Sequence, residues 1–408
     1  MRFIKTYLLI SLLFLFTTLS WAEEINTSWL RTKTLSNALN PNLSVISDLT
    51  ANSGPTKDSA SNRLSLREIE LGLQASLDPY ARADIFISKP EAENLEVQEA
   101  YVTLTTLPWN LRFRGGKIKA NFGRLNMIHA HELPQITAPI VLTGFLGAEG
   151  LREVGGEISR IFTPFNLFTE VSYAILNGLQ SEETETPPTT QITDTNGNTV
   201  TVAVQKQTTP SDRQIQNFGH VGRLRFYKDL TDSTNIDLGF SGALHQPKNL
   251  KQTRMGTVDF TLRWKPLKEG LYHSFTWRTE LFYSIRKLPQ ETDTITKMVT
   301  ETERQLHRRG LYSYIELQPA RRWKCGVRGD YMEAPELAES SITLEDKTIR
   351  KVEKSITRAI SPYITFTLSE FNRFRLQYEN RQVPGDDIEH RLFFQWTVIL
   401  GPHGAHAF

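Results

Sequence analysis

The sequence predicts an all-β chain that closes into a transmembrane antiparallel up-and-down β-barrel of about sixteen strands, with fourteen or eighteen as alternatives. Three observations predict this fold: apolar and polar residues alternate along many segments, most segments are about 9 to 15 residues long, and short connections alternate with long ones. Strands of soluble domains centre on about five or six residues, whereas membrane-spanning strands need about nine to eleven. The segment lengths therefore favour a sheet that spans a membrane.

The first residues predict a cleaved secretory signal peptide over residues 1–22. A positive region with Arg2 and Lys5 precedes an apolar run, and the small residues Ser20 and Ala22 end it at the positions that a signal peptidase recognises. The run is shorter than the roughly 20 residues of a spanning helix. An uncleaved membrane anchor is the alternative.

After the signal, residues 23–42 are expected to form an N-terminal periplasmic segment, and residues 43–408 the barrel. No later stretch has the length of a transmembrane helix, so the composition argues against a helical membrane protein. Cys325 is the single cysteine, which excludes an intramolecular disulfide. The net charge of +2 and the lack of a basic tract give no sign of nucleic-acid binding.

Period-two alternation is the strongest signal in the chain. In "MGTVDFTLRW", Val258, Phe260 and Leu262 alternate with Asp259 and Thr261. Of the sixteen segments with this pattern, the first is the weakest. They cover residues 43–53, 66–78, 81–89, 95–107, 111–124, 151–163, 165–178, 218–230, 234–246, 255–266, 273–287, 308–319, 322–333, 356–369, 371–382 and 389–401.

The connections form a second, independent pattern. One set is tight, including "DPY", "LPWN" and "TDS", while the other set is mostly long and includes residues 54–65, 125–150, 179–217, 288–307 and 334–355. Outer-membrane barrels combine short periplasmic turns with long external loops. Aromatic residues in or beside the short connections suggest a membrane-interface girdle, with a soluble β-sandwich as the alternative. These residues are Tyr80, Trp109, Phe165, Tyr272, Trp323 and Phe371.

Closure follows from the physics of the bilayer. Every backbone N–H and C=O group within hydrocarbon must be paired, and an open sheet edge cannot provide this pairing. Closing the sheet turns the apolar face to lipid and the polar face to a lumen, which should hold water at about sixteen strands.

The chain resembles porin-type outer-membrane proteins of Gram-negative bacteria, nearest to the phosphate-selective porin-like group. The resemblance rests on the strand pattern, on "RFRGGKIKANFGRLN" before a long loop, and on the terminal Phe408. It implies passive diffusion of small solutes, insertion into outer-membrane lipid, assembly by the barrel-assembly machinery through Phe408, and a possible homotrimer. It carries no solute identity. Pro402, Gly404 and His406 depart from the alternation usual before the terminal aromatic residue.

Charged residues on the polar faces are the candidate pore-lining groups. Basic rings favour anions and acidic rings favour cations, and both signs occur here. Paired charges that only solvate a polar wall are the alternative. The basic candidates are Lys117, Lys119, Arg223, Arg263, Arg278, Arg286, Arg373 and Arg375, and the acidic ones are Glu68, Glu70, Asp237, Asp259, Glu280 and Glu379.

The segment His129-Ala-His131-Glu132 raises two further hypotheses. Imidazole and carboxylate are normal zinc ligands, although the spacing specifies no complete site, and histidines hydrogen-bonded in an ordered loop are the alternative. The apolar residues around the pair suggest a constriction loop over 125–150, packed inside the barrel with these three side chains lining the pore. His403 and His406 form a second histidine pair in the tail.

The leading functional hypothesis is a porin, an outer-membrane channel that passes small polar or ionic solutes. A substrate-specific or zinc-uptake barrel is the second hypothesis, and an outer-membrane enzyme the third. No catalytic motif such as G-x-S-x-G or H-E-x-x-H is present, so the chain is expected not to be an enzyme and to need no cofactor. The polar connection 179–217 is interpreted as a mobile external loop.

Overall fold

The computed structural model describes residues 41–54, 64–91, 94–179, 189–193, 199–203, 218–245, 253–288, 291–292, 299–301, 304–344, 347–384 and 388–401. Sixteen strands form one closed antiparallel barrel in chain order. They are β1 (Asn42–Ser53), β2 (Leu64–Ser76), β3 (Ala81–Pro90), β4 (Glu96–Leu107), β5 (Leu111–Lys119), β6 (Arg152–Phe162), β7 (Phe168–Leu176), β8 (Gly219–Thr231), β9 (Thr234–His245), β10 (Thr253–Trp264), β11 (Ser274–Leu288), β12 (Arg304–Ala320), β13 (Trp323–Leu344), β14 (Lys347–Ser369), β15 (Asn372–Gln382) and β16 (Glu389–Leu400).

The first and last strands close the barrel. β1 pairs with β16 in one continuous register from Val45 opposite Leu400 to Ser53 opposite Leu392. The barrel sheet consequently has no open edge, as its position in a bilayer requires. The predicted fold class is confirmed, including the weakest segment, 43–53, which is the first strand.

The barrel wall is polar inside and apolar outside. In β11, Arg278 and Glu280 are buried, while their neighbours Trp277 and Leu281 are 41% and 49% exposed. A soluble protein would bury the tryptophan and the leucine and expose the charges. This inverted arrangement gives the wall the outward apolar surface of a membrane-spanning barrel.

Two of the short turns share a Pro-aromatic-Asn sequence. The aromatic residue and the asparagine both adopt positive φ: 59° and 57° at Trp109 and Asn110, and 53° and 58° at Phe165 and Asn166. Left-handed backbone costs about 1–3 kcal/mol at a residue other than glycine. The turns project their rings outward, where headgroups favour amphipathic side chains. All six aromatic residues assigned to this end are exposed: Tyr80, Trp109, Phe165, Tyr272, Trp323 and Phe371.

The observed strands differ from the predicted segments mainly at the long-connection end. β5 ends at Lys119, because the chain leaves the sheet at residue 120 rather than at 124. The connection 334–355 is largely strand, since β13 and β14 continue to pair until Leu344 opposes Lys347. Two-stranded ladders also occur within the other long connections, formed by Thr189–Thr193 with Thr199–Ala203 and by Glu291–Thr292 with Val299–Glu301.

Several sequence predictions concern residues outside the described ones: the signal peptide 1–22, the segment 23–40, most of the loop 179–217, and the tail with His403, His406 and Phe408. Within the described part of the chain, no helix combines the length and the apolar character needed to cross a bilayer.

Candidate functional site

Residues 120–151, called the inner loop here, connect β5 to β6 and contact the inward side chains of distant strands. The amide of Gly123 donates to Ser241 Oγ of β9 at 3.0 Å. The amide of Ile136 donates to Gln377 Oε1 of β15 at 2.8 Å, and that of Ile140 to Asp330 Oδ1 of β13 at 3.2 Å. Because these strands belong to different parts of the wall, the inner loop runs across the interior of the barrel.

An apolar core fixes one side of the inner loop to the wall. The loop contains a short helix, α1 (Ile140–Leu146), whose Phe145 ring lies 5.4 Å from the ring of Phe282 in β11, centroid to centroid. Burying one such side chain contributes about 1.5–3 kcal/mol. The core joins Phe122, Leu125, Leu133, Val141, Phe145 and Leu146 of the loop to Leu176, Val221, Met255, Phe282 and Tyr312 of the wall.

Asn126 closes the base of the inner loop. Its Nδ2 donates to the carbonyl oxygens of Ala120 and Leu151 at 2.8 and 3.1 Å, and its Oδ1 accepts from the Leu151 amide at 2.7 Å. Gly150 has a φ of +74°, and a Cβ there would lie 2.5 Å from Asn126 Oδ1. The asparagine and the glycine together join the two ends of the loop.

Charged and polar side chains also bind the inner loop to the wall. Arg328 of β13 donates from Nη2 to Thr137 Oγ1 at 3.0 Å while its Nε contacts Asp330 Oδ2 at 2.7 Å. On the loop itself, Arg124 lies 3.5 Å from Asp237. Burial and the nearby Arg278 lower the pKa of Arg124 to about 10, despite the attraction of Asp237.

One cavity in the interior, called the arginine cavity here, has a volume of about 310 Å³. It lies beside the strand ends next to the short turns, since Arg82, Thr105 and Arg112 line it. Arginines outnumber carboxylates on its lining. Its charged lining comprises Arg82, Arg112, Arg114, Arg124, Arg223 and Arg225, with Asp84, Glu99, Glu157 and Glu170.

A second cavity, called the histidine cavity here, has a volume of about 90 Å³ and lies beside the long-connection ends of the strands. Glu68 and Glu70 of β2, Lys119 of β5, and His129 and Glu149 of the inner loop line it. Acidic groups outnumber the single lysine on this lining, so its charge balance is opposite to that of the arginine cavity.

His129 lies between the two cavities. Its Nδ1 is 2.6 Å from Glu70 Oε2, and its Nε2 is 2.9 Å from Glu99 Oε2. Glu70 lines the histidine cavity, whereas Glu99 and Phe86, whose ring lies 5.1 Å from the imidazole, line the arginine cavity. The imidazole therefore links a carboxylate of one cavity to a carboxylate of the other.

The protonation of His129 follows from these neighbours. Burial lowers its pKa and Lys119 lowers it further, but the charge and hydrogen bonds of Glu70 and Glu99 outweigh both effects and raise the pKa above its ordinary value. A protonated imidazole donates from both ring nitrogens, which matches the two facing carboxylates.

The other two residues of the histidine motif lie close by. His131 is fully buried, and its Nδ1 is 3.4 Å from Glu68 Oε1 and 3.9 Å from Glu70 Oε2. Glu132 points the other way and contacts Arg373 of β15 at 3.4 Å. Potential ligand atoms of Glu70, His129 and His131 all lie within 4.8 Å of one another, so these three residues form a candidate metal centre.

The residues assigned to the lumen by alternation occupy several environments. Arg223 contacts Asp259 through two nitrogens, at 2.7 and 3.0 Å, and Arg278 donates to Thr261 at 3.0 Å. Arg375 donates to Gln395 at 3.1 Å. Lys119, Arg223, Arg278, Glu280, Arg375 and Glu379 are buried, whereas Arg263, Arg286 and Arg373 are partly buried.

Two of these carboxylates bind the inner loop directly. Glu280 accepts hydrogen bonds from the Arg124 amide at 3.2 Å and from the Tyr312 hydroxyl at 2.8 Å. Glu379 accepts from Thr137 Oγ1 at 3.1 Å.

Lys117 is not brought into either cavity lining. It pairs in register with Val154, whose side chain is 50% exposed, and its ammonium lies 3.4 Å from Glu96.

Sequence reasoning missed most of the arginine cavity. The alternation in "LRFRGG" could have identified Arg112 and Arg114, because they lie two residues apart on one face. Alternation does not identify Glu99, because a register shift opposite Phe86 and Ile87 buries two consecutive residues, Gln98 and Glu99.

No protein-family model matches the chain. An uncharacterized protein of Aquifex aeolicus is 26% identical over 366 residues, which cover 84% of this chain and 70% of that protein. Among solved structures, the outer membrane channel DcaP of Acinetobacter baumannii matches with a TM-score of 0.52 and 10% identity, covering 90% of this chain and 99% of that one.

Two further barrels match over a similar extent. A loop-deletion mutant of OmpT, an outer membrane protein of Vibrio cholerae, has a TM-score of 0.52 at 7% identity and covers 89% of this chain and 100% of that chain. Salmonella typhi OmpF, solved with daunomycin, has a TM-score of 0.50 at 8% identity and covers 90% of this chain and 99% of its own. The chain has the closed barrel fold of bacterial outer-membrane proteins.

Proposed function

We propose that this chain is an outer-membrane porin, a channel for small polar or ionic solutes whose lumen the inner loop narrows. The observation that carries the proposal is the course of residues 120–151, which bind inward side chains of β9, β11, β13 and β15 and leave a polar cavity of about 310 Å³ beside them. A sixteen-stranded barrel without such a segment has an interior too wide for wall side chains to fill. The inner loop is thus the constriction.

The charged groups of the arginine cavity give the channel its proposed preference. Arg82, Arg112 and Arg124 lie on a lining where arginines outnumber carboxylates. A water-filled passage with this excess admits anions more readily than cations. Within the porins we group the chain with the phosphate-selective porin-like proteins, on the strength of "RFRGGKIKANFGRLN", without assigning a solute.

The proposal includes insertion into outer-membrane lipid, assembly of the barrel by the barrel-assembly machinery through Phe408, and association as a homotrimer. Two solved structures with the same fold support these proposals. One is described as an outer membrane channel, which supports a channel function, and another is described as the trimer form of OmpT, which supports a homotrimer. As a channel the chain has no enzymatic activity, and purified barrel is expected to hydrolyse neither lipids nor peptides.

Single-channel recording in planar bilayers tests the proposal. The wild-type chain should give stepwise conductance, and deletion of residues 128–142 should raise each step by about two-fold or more, because the constriction is removed. Deletion of residues 194–198, between the two short strands of an external connection, is the matched control and should leave the step unchanged. A membrane that stays sealed at high protein load would contradict the channel, and an unchanged step after the first deletion would contradict the constriction.

A further inference from the structure

We propose that Glu70, His129 and His131 bind a divalent cation of the zinc class and thereby join the inner loop to the wall at β2. This inference goes beyond a channel function, and it does not depend on whether the barrel conducts. It rests on the positions of three side chains, on the carboxylates that surround them, and on the cavity beside them.

The ligand atoms are close to the geometry that zinc needs. Metal–ligand bonds of about 2.0–2.2 Å place neighbouring ligand atoms of a tetrahedral site about 3.4 Å apart. Glu70 Oε2 lies 2.6 Å from His129 Nδ1 and 3.9 Å from His131 Nδ1. The first distance is shorter than that spacing and the second is longer. Side-chain adjustments of less than an ångström at each ligand would bring the three atoms around one ion.

The neighbours of the His129 imidazole match those of a ligating histidine. A histidine that binds a metal through one ring nitrogen almost always donates its other N–H to a carboxylate, carbonyl or water, which fixes the ring. Here His129 presents Nδ1 to Glu70 while its Nε2 lies 2.9 Å from Glu99. With a metal ion on Nδ1, Glu99 would be the carboxylate that orients the ring.

A fourth position is also present. Glu68 Oε1 is 3.4 Å from His131 Nδ1 and lines the histidine cavity together with Glu70 and His129. Rotation of the Glu68 side chain, or water in the cavity, would complete a four-coordinate site. The cavity would give an ion access to Glu70 and His129.

The local charge favours a divalent cation. Glu68, Glu70 and Glu99 face the two imidazoles, and Lys119 is the cationic side chain that shares their cavity. With neutral histidines these four side chains carry a net charge of −2, which a divalent ion neutralises. The alternative occupant is a proton on His129, held between the same carboxylates, and metal binding must displace it.

Zinc titration of the purified, folded barrel tests the proposal. Isothermal calorimetry should show saturable binding of about one ion per chain with a Kd of about 1 µM or lower. Glu70→Gln and His131→Ala should each weaken binding by about ten-fold or more, since each removes a ligand. Heat-modifiable gel migration establishes that each variant is folded. If His131→Ala fails to fold, Glu70→Gln alone tests the site, because it keeps the shape of the side chain.

Two controls separate this site from other histidines. His220→Ala changes a histidine on the exposed face, where it pairs with Tyr173, and should bind zinc as the wild type does. Combined His403→Ala and His406→Ala substitutions remove the tail pair and should also preserve binding. Cobalt in place of zinc should give the visible absorption of a tetrahedral site in the wild type and not in Glu70→Gln. The proposal is overturned if the wild type shows no saturable binding, or if the tail variant loses binding while Glu70→Gln retains it.

Discussion

The arginine cavity and the histidine cavity are built from different parts of the chain. In the arginine cavity most charged groups come from barrel strands, and the wall pairs them rigidly, as Arg114 with Glu157 at 3.1 Å and Arg225 with Asp237 through two nitrogens. In the histidine cavity the inner loop supplies most of the lining, including His129 and Glu149. The charges of the arginine cavity are therefore set mainly by the wall, whereas the enclosure of the histidine cavity depends on the docking of the inner loop.

Removal of His129 should have the largest effect on this comparison. His129→Ala leaves Glu70 and Glu99 as facing buried carboxylates, and breaking a buried charge pair in this way costs about 3–5 kcal/mol. The docked inner loop should lose that stability, and hydrogen exchange of its amides should accelerate while strand amides in β9 to β11 keep their protection. If exchange accelerated equally in the loop and in the strands, His129 would stabilise the whole barrel and not specifically the docked inner loop.

Leu142→Ala should have the next largest effect and should act on the histidine cavity alone. Leu142 lines that cavity and belongs to the apolar core of the inner loop. Truncating a buried leucine costs about 2–5 kcal/mol, depending on how far the site collapses. Loop amides should exchange faster, and the ratio of anion to cation permeability should stay at the wild-type value. A changed ratio would link the histidine cavity to selectivity.

Arg124→Gln should change selectivity with a small effect on stability. Arg124 lines the arginine cavity and pairs with Asp237. Asp237 also pairs with Arg225, so the substitution does not leave this carboxylate without a cationic partner. Loss of one positive charge should shift the anion-to-cation permeability ratio toward cations by about two-fold, as measured from reversal potentials in a salt gradient. Arg160→Gln removes the same charge from the exposed face and should leave the ratio unchanged. Equal shifts in both variants would refute a role for the cavity.

The smallest effect is expected outside both cavities. Tyr173 contacts His220 on the exposed face, and Tyr283 with His307 and Tyr378 with His390 form equivalent pairs. Tyr173→Phe removes one exposed hydrogen bond, which contributes about 1 kcal/mol or less. Thermal unfolding should shift slightly, and conductance and zinc binding should match the wild type. A change in either would extend the functional site to the outer face.

The strands were predictable from sequence because a barrel wall repeats one local rule. Each of the sixteen segments alternates between lipid and interior, so a period of two residues identifies it without knowledge of its partners. The extension of β13 and β14 could not be found in this way. In this stretch β13 and β14 pair with each other, as Pro335 does with Lys354, and this pairing is not visible in the period of either segment alone.

The candidate site was only partly predictable for a related reason. The apolar composition around Pro134 and Pro139 suggested an interior segment, but the partners of that segment lie far along the chain. His129 meets Glu70 and Glu99 because β2 and β4 present them on the same side of the wall. A single sequence does not show which strand residues a loop contacts when those residues are distant along the chain.

The long reach of the inner loop has a consequence for how the barrel folds. Ile136 binds Gln377, which lies 241 residues further along the chain, and Arg373 binds the carbonyl oxygen of His131 at a similar separation. Contacts between such distant residues form only after the entropy of closing the intervening chain has been lost. We therefore expect strand pairing to precede loop docking during refolding. Pulsed hydrogen exchange should protect amides of β9 to β11 before those of residues 123–146, so the lumen would be wide in the nascent barrel and would narrow as the last step.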